Sequence, residues 1–564
     1  MNKNKINLTR FPYIRVTKFL DINDVLELIN VSKSIRDAVL NYHKVIKMYL
    51  HVFHLLMRYS EDLFNRQNEL ILTNLKTIFF KNNFKFIRES VNQMLSEFKC
   101  NEIKLNNSQI IYVIGNFLAK LILKFQNDLI ISDNPYVLKN YFVPHEHFKL
   151  LSLNSFDIDD DSVDFLIITL KILKKYGIIN GISLCNNKFS NEKIGEILQF
   201  ASDDYIHLFD FSSNKISIKG IKLIFAKISG YIEKYPYYKI SFLDLSDCAI
   251  LDEELHLISK YLSQNFPIER LCLNANKFND LKSLATGMKF NSYLRHIRLT
   301  QMYLGEDMRP LLEVFINNEQ ITNLILDKNN LYPLMPDLIN SLSTMKNLTE
   351  LSLINNKITD EIGEQLIHAL AEGNTNLSLI YLGLNSIGIK SCKQISTFLL
   401  SENCKLTVLE LQSNQIDDES MKELIKGLQK NKTISLLELG WNKLTKVSGE
   451  LLADYLKTNK TLNTLNIKQN YLNNEGCSKI IDSISENEES QIKSLNLIGN
   501  SIDDKIYSNI KNLVEAKNKS LERVGIQIIL DCNIISNEGV EKIEKLNCSS
   551  FDIDISLEGM MTDC

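Results

Sequence analysis

Proline occurs eight times in 564 residues and tryptophan once, at Trp441. None of the ten cysteines stands in a C-x-x-C pair, and their spacing from Cys100 to Cys564 is irregular. That pattern fits reduced thiols in a cytoplasmic protein better than a disulfide framework or a zinc module. An excess of one charge is missing as well. Sixty-four basic residues stand against 68 acidic ones, a formal net charge of -4 with no single-sign tail. Nucleic acid is therefore not an expected partner, because its footprint is strongly basic. Long hydrophobic runs are absent too. The most apolar segment, Ile110 to Leu123, contains Asn116 and Lys120 and reads as a buried helix, so no membrane span is expected. The start, "MNKNKINLTRFPY", lacks the apolar stretch of a secretory signal.

Motifs of catalysis are missing in the same way. The chain has no G-x-x-x-x-G-K-[ST] loop, G-x-G-x-x-G turn, H-E-x-x-H helix or G-x-S-x-G elbow. His145 and His147 lie close together without a further ligand cluster and read as a polar loop. No catalytic residue, cofactor or metal is expected.

What is present is a repeat. The phrase Leu406-x-x-Leu409-x-Leu411-x-x-Asn414-x-Ile416 returns along the chain, with the asparagine at Asn187, Asn214, Asn276, Asn329, Asn356, Asn385, Asn442, Asn470 and Asn500. Cys248 and Met302 stand at that place in two copies, and a later copy carries Asn533. First positions run from Phe148 to Ile492, 344 residues over twelve steps, or about 28.7 per unit. The two leucines of L-x-L share one side of a short strand. The asparagine amide donates and accepts at once, which suits the turn after that strand. The remainder of each unit has helical spacing, as in Ile362, Leu366, Ile367 and Leu370.

One strand and one helix cannot bury a core alone, so the units must stack. Strands stack about 4.8 Å apart and helices about 9 Å, which bends the stack with its strands inside. The expected fold is an α/β solenoid: a horseshoe with a parallel sheet on its concave face, helices on its convex face, and an all-α region before it. Residues 148–547 resemble leucine-rich repeats of the ribonuclease-inhibitor type, with about fourteen repeats and a tail at 548–564.

Positions five, seven, eight and ten of the phrase face away from the packed leucines. Late in the array they gather Tyr381, Leu384, Glu410, Glu438, Trp441 and Tyr471. Exposed aromatics beside acids are typical of protein interfaces, so these six are the candidate contacts for a protein partner. Asp417, Asp418 and Glu419 recur in kind after other strands, where carboxylates suit a helix N-terminus.

Residues 1–40 carry Phe11-Pro12, Phe19-Leu20-Asp21, Asp24-Val25-Leu26, Leu28, Val31-Ser32-Lys33 and Arg36-Asp37. This order resembles the F-box, with Ile35 where that family has tryptophan and a shortened gap between Pro12 and Leu20. The resemblance implies docking on a Skp-type adaptor of a cullin–RING ubiquitin ligase through Phe11, Pro12, Phe19, Leu20, Val25, Leu26, Leu28, Val31 and Ile35. The repeats would then capture the protein to be ubiquitinated. A helical cap on the first repeat needs a similar amphipathic pattern, and residues 41–147 read as a helical linker or cap.

Two other functions fit the same array. One is a scaffold or inhibitor that acts by binding alone. The other follows from a resemblance to Ran GTPase-activating proteins and predicts a basic or polar patch near the early repeats, where Arg298 is the single arginine at position five. Scarce proline with abundant asparagine, isoleucine and lysine suits an AT-rich genome. An effector of an intracellular bacterium, acting in the host cytosol, or a protist protein would match it.

Overall fold

The computed structural model describes residues 130–132, 149–155, 158–160, 163–164, 166–167, 170–171, 181–200, 206–235, 237–303, 305–374, 376–519, 525–547 and 553–557. The F-box-like residues from Phe11 to Ile35 lie outside the described residues, as do His145 and His147. The chain divides into two compact units.

One unit comprises residues 1–134, 145–179 and 187–200. Its strands β1 (Ile130–Ser132) and β2 (Lys149–Ser152) pair antiparallel, with Ile130 opposite Leu151. Sequence reasoning places helix throughout 41–147; Ile130 and Ile131 are β-branched and pair as a strand instead. In the same unit Asn187 donates to the Leu153 carbonyl at 3.1 Å and accepts the Ile158 N–H at 3.0 Å. The helix Asn191–Phe200 follows.

The other unit comprises residues 135–144, 180–186 and 201–564. Its strands are β3 (Gly181–Ser183), β4 (Leu208–Asp210), β5 (Phe242–Asp244), β6 (Arg270–Cys272), β7 (His296–Arg298), β8 (Asn323–Ile325) and β9 (Glu350–Ser352). They continue as β10 (Leu379–Tyr381), β11 (Val408–Glu410), β12 (Leu436–Glu438), β13 (Thr464–Asn466), β14 (Ser494–Asn496), β15 (Ile526–Ile529) and β16 (Ile553–Ser556). Each pairs parallel with the next in chain order. β16 carries the sheet past residue 547, into the stretch that the repeat phrase does not reach. This is a leucine-rich-repeat solenoid.

The core lies between sheet and helices. Leu406, Leu409, Leu411 and Ile416 of the repeat phrase are fully buried, as are Leu348, Leu351, Leu353 and Ile358 two repeats earlier. In the helix Asp360–Gly373 the buried residues are Gly363, Leu366, Ile367 and Leu370. Ile362, expected on that face, is only half-buried. Gly363 takes the contact because the next helix comes close: a Cβ there would lie 2.4 Å from Ser391 Oγ.

Polar ladders tie one repeat to the next. Asn442 donates to the carbonyl of Leu411, one repeat earlier, and accepts the N–H groups of Asn414 and Ile416 at 3.2 and 3.1 Å. Asn356, Asn414, Asn470 and Asn533 repeat that donation, so each amide closes a turn and a joint together. Cys248 keeps the bond in weaker form, with Sγ donating to the Phe211 carbonyl at 3.2 Å. A second ladder escaped the sequence reading. Asn374, Asn431 and Asn487, just after their helices, donate to Met345, Leu399 and Leu456 of the preceding repeat.

Carboxylates fasten the helix starts. Asp417 accepts the N–H of Ser420 at 2.9 Å and caps its own helix, Asp418–Leu428. Asp418 reaches forward to Thr445 and Ser448, which begin the next helix. Asp360 does the same for Gly388, Lys390 and Ser391. These acids are architectural, and Asp418 and Asp360 place that architecture between repeats.

Candidate functional site

Positions three and five of each phrase flank the buried residue at position four, so both stand on the inner face of the sheet. Parallel pairing sets Tyr381, Glu410 and Glu438 side by side at the ends of β10, β11 and β12, all half-buried. Glu410 is held from two directions. Its Oε2 accepts the Gly383 N–H at 2.9 Å, and its Oε1 accepts the Gln412 N–H at 3.0 Å. A Cβ at Gly383 would fall 2.6 Å from Oε1, so glycine is what lets the carboxylate lie there. Burial pushes the Glu410 carboxyl up to about 7, against these two hydrogen bonds and with help from Glu438 and Asp327. Burial, with Glu350 and Glu410, also raises the Tyr381 phenol above its ordinary range.

The position-five contact with the backbone recurs. Asp210, Asp244, Asn466 and Asn496 accept the N–H two residues on, at 3.0, 2.8, 3.1 and 3.1 Å. Part of the chemistry at this position therefore serves the turn.

Position eight adopts a left-handed backbone in every repeat from β3 to β15. Most residues there are small or polar, which tolerate it. Leu384 and Trp441, with φ of 54° and 55°, are the two large apolar exceptions. Large side chains in this region cost on the order of 1 kcal/mol each, so their presence needs a use elsewhere. Both are exposed, at 47% and 54%, and Tyr471 at position ten is exposed at 68%. Two strand spacings put Leu384 and Trp441 roughly 10 Å apart along the rim. Ile389 and Val447, in the first turns of the helices Ile389–Leu399 and Lys446–Leu456, are exposed as well.

Sequence reasoning missed position three. Arg270, His296, Asn323 and Glu350 lie in register on β6, β7, β8 and β9. Simple alternation was the available signal, since position three shares a side with position five. Asn323 donates to Glu350. Arg270 is buried with Glu269 at 3.8 Å, and its Nε, like Thr300 Oγ1, finds no hydrogen-bond partner among the described residues. Burial, with Arg270 and Arg295, pushes His296 down to about 3, so it is neutral at pH 7. Arg298 stands among carboxyls. Burial and Asp210 raise Asp244, burial raises Asp327, and Arg298 offsets part of each shift.

Among the described residues no group of three His, Cys, Asp or Glu is placed to hold a metal ion. No described helix is long and apolar enough to cross a membrane.

This sheet, its asparagine ladders and its helical outer layer are those of a leucine-rich-repeat array. The Leucine Rich repeat family matches residues 344–366, 402–424 and 458–480. NACHT, LRR and PYD domains-containing protein 3 of Homo sapiens is 27% identical over 208 residues, 36% of this chain and 20% of that protein. Ribonuclease inhibitor of Sus scrofa is 31% identical over 97 residues, 17% of this chain and 21% of that protein. The chain spans about a fifth of the length of these relatives. A solved internalin (inlF) of Listeria monocytogenes aligns with 60% of this chain and 93% of its own, at 17% identity and a TM-score of 0.37.

Proposed function

We propose that this chain is a non-enzymatic adaptor that captures a protein through β10 to β13 and their rim. The observation that carries this reading is the pairing of a fixed carboxylate, Glu410, with exposed Leu384, Trp441 and Tyr471 on neighbouring repeats. Aromatic anchors beside polar groups are the usual makings of a protein interface. One relative is by name an inhibitor of ribonuclease, a protein, which supports a protein as ligand.

The finer reading is recruitment to a ubiquitin ligase. The F-box-like segment 1–40 would bind a Skp-type adaptor and, through it, cullin; 41–147 would link it to the repeats at 148–547. That part is supported by sequence resemblance alone.

A photo-crosslinking amino acid at Tyr471, with Lys422 on the outer helix face as control, tests the first part. Capture of one protein from position 471, lost in a Trp441→Ala, Leu384→Ala double variant, is the expected result. Equal capture from both positions would sink it. Affinity purification of the full chain and of a variant lacking residues 1–40 tests the second part. Skp-type adaptor and cullin are expected with the full chain alone, and their absence from both samples rejects recruitment.

A further inference from the structure

Charge on the inner face is not balanced as it is in the whole chain. Positions three, five and seven from β3 to β14 carry six carboxyl groups against three cations, Arg270, Arg298 and Lys468, whereas the chain has 68 acids against 64 bases. From β10 to β14 the strand positions themselves hold Glu410 and Glu438 and no cation. Lys443 and Lys468 follow β12 and β13 in their loops, and the Lys468 stem lies against Gly440 of the β12 repeat. The stretch with the exposed aromatics is thus one whose strands carry acid and no base, a property it shares with β3 to β5, where Asp210 and Asp244 stand without exposed aromatics beside them.

We propose that the partner bound at β10 to β13 is a basic protein segment: a lysine or arginine of it pairs with Glu410 while its apolar neighbours lie on Trp441, Leu384 and Tyr471. The inference rests on the protein-binding reading above and names the partner's chemistry. Glu410 suits the role because its position is already fixed. Two backbone N–H groups hold it, one on each oxygen, and a carboxylate has about four acceptor sites, so two remain for an incoming guanidinium or ammonium. Trp441 adds a π-face that attracts the same cation. The apolar stem of a lysine or arginine can meanwhile cover Leu384. An acidic segment would instead meet Glu410 and Glu438 with like charge. A purely apolar segment would bury Glu410 deeper with no counter-charge, which is costly.

The single tryptophan makes the test direct, since all tryptophan emission comes from this site. The full-length chain is titrated with two synthetic peptides of equal length, one alternating lysine and leucine, the other alternating glutamate and leucine. Saturable change in Trp441 emission with the lysine peptide is expected, weakening as salt shortens the reach of charge. Glu410→Gln should weaken that affinity about tenfold. Glu438→Gln serves as a second acidic variant should Glu410→Gln fold poorly, and Glu475→Gln, on an outer helix, should change nothing. No saturable change with the lysine peptide, equal or tighter binding of the glutamate peptide, or wild-type affinity in both acidic variants overturns the inference. If the lysine peptide fails while position 471 still captures a protein, only the basic character is rejected. If both fail, the protein-binding reading falls with it.

Discussion

The Gly383 N–H donates to Glu410 Oε2 at 2.9 Å across neighbouring repeats, and the missing side chain of Gly383 makes that approach possible. The site therefore depends on a residue that offers a partner no side chain. A methyl group added by Gly383→Ala would sit 2.6 Å from Oε1 and 3.0 Å from the Gln412 carbonyl, so Glu410 must swing away. Losing a charge-assisted hydrogen bond in a half-buried place costs about 1–3 kcal/mol. Urea unfolding should register that loss, and the Glu410 carboxyl, followed by NMR, should change its titration, because a hydrogen bond that holds it down is gone. An alanine variant with wild-type stability and titration would contradict this account of the glycine.

Titration of Glu410 gives the second expectation. Its folded value, about 7, lies above the ordinary 4.5 because of burial first and then of Glu438 and Asp327. Between those values the folded state holds more protons than the unfolded one, so stability falls as pH rises. The contribution is fully present below about 4.5 and gone above about 7, a span worth on the order of 3 kcal/mol. Glu410→Gln cannot titrate, so its unfolding free energy should fall less steeply across that window. A variant with the wild-type slope would assign the titration to another group.

How much of this was legible in the sequence follows from what its pattern can express. Leu409 and Leu411 advertise themselves through alternation, and Asn414 through a fixed offset, so strand, turn and ladder could be read directly. Partners a full repeat away cannot be read from one phrase. Asp418 looks like any acid at a helix start, and only the fold shows Thr445 and Ser448 as its contacts. Position three carries no recurring residue type, so the phrase does not mark it, although Arg270 and Glu350 alternate as regularly as Cys272 and Ser352. The backbone at Leu384 and Trp441 was invisible for another reason: left-handed geometry announces itself in sequence through glycine or asparagine, and these two are neither.

The three consecutive acids after Ile416 should differ in worth. Asp418 accepts from the N–H groups of Thr445 and Ser448 and from both hydroxyls. Asp417 accepts from Ser420 alone, through its N–H and hydroxyl. Glu419 meets exposed Lys422 at 3.9 Å. Alanine at 418 should cost about 2 kcal/mol and at 417 about 1 kcal/mol, with 419 within measurement error. Burial opposes ionisation of Asp418, but hydrogen bonds from Ser448 and Thr445 outweigh it and hold the carboxyl below its ordinary 3.8. Its contribution is present above that value and fades as pH falls below it. Equal costs at 417 and 418 would deny the link between repeats.

Cys248 offers the last test, because a thiol there does an amide's work. Its Sγ donates to the carbonyls of Phe211 and Ser246, at 3.2 and 3.4 Å, where other repeats place an asparagine amide. Burial pushes the thiol far above its ordinary value, so it remains a protonated donor. Cys248→Asn restores the stronger amide in a place that suits one elsewhere in the array, and should raise stability by about 1 kcal/mol. Cys248→Ser should stay near the wild type, and Cys248→Ala should lose about 1 kcal/mol by leaving carbonyls without their donor. A thiol reagent gives an independent reading on the folded chain: Cys532, exposed, should react while Cys248 stays protected until denaturant is added. Destabilisation by asparagine would mean that this joint has closed around sulfur, and the ladder would then be interrupted at its third rung by design of the packing around Phe211.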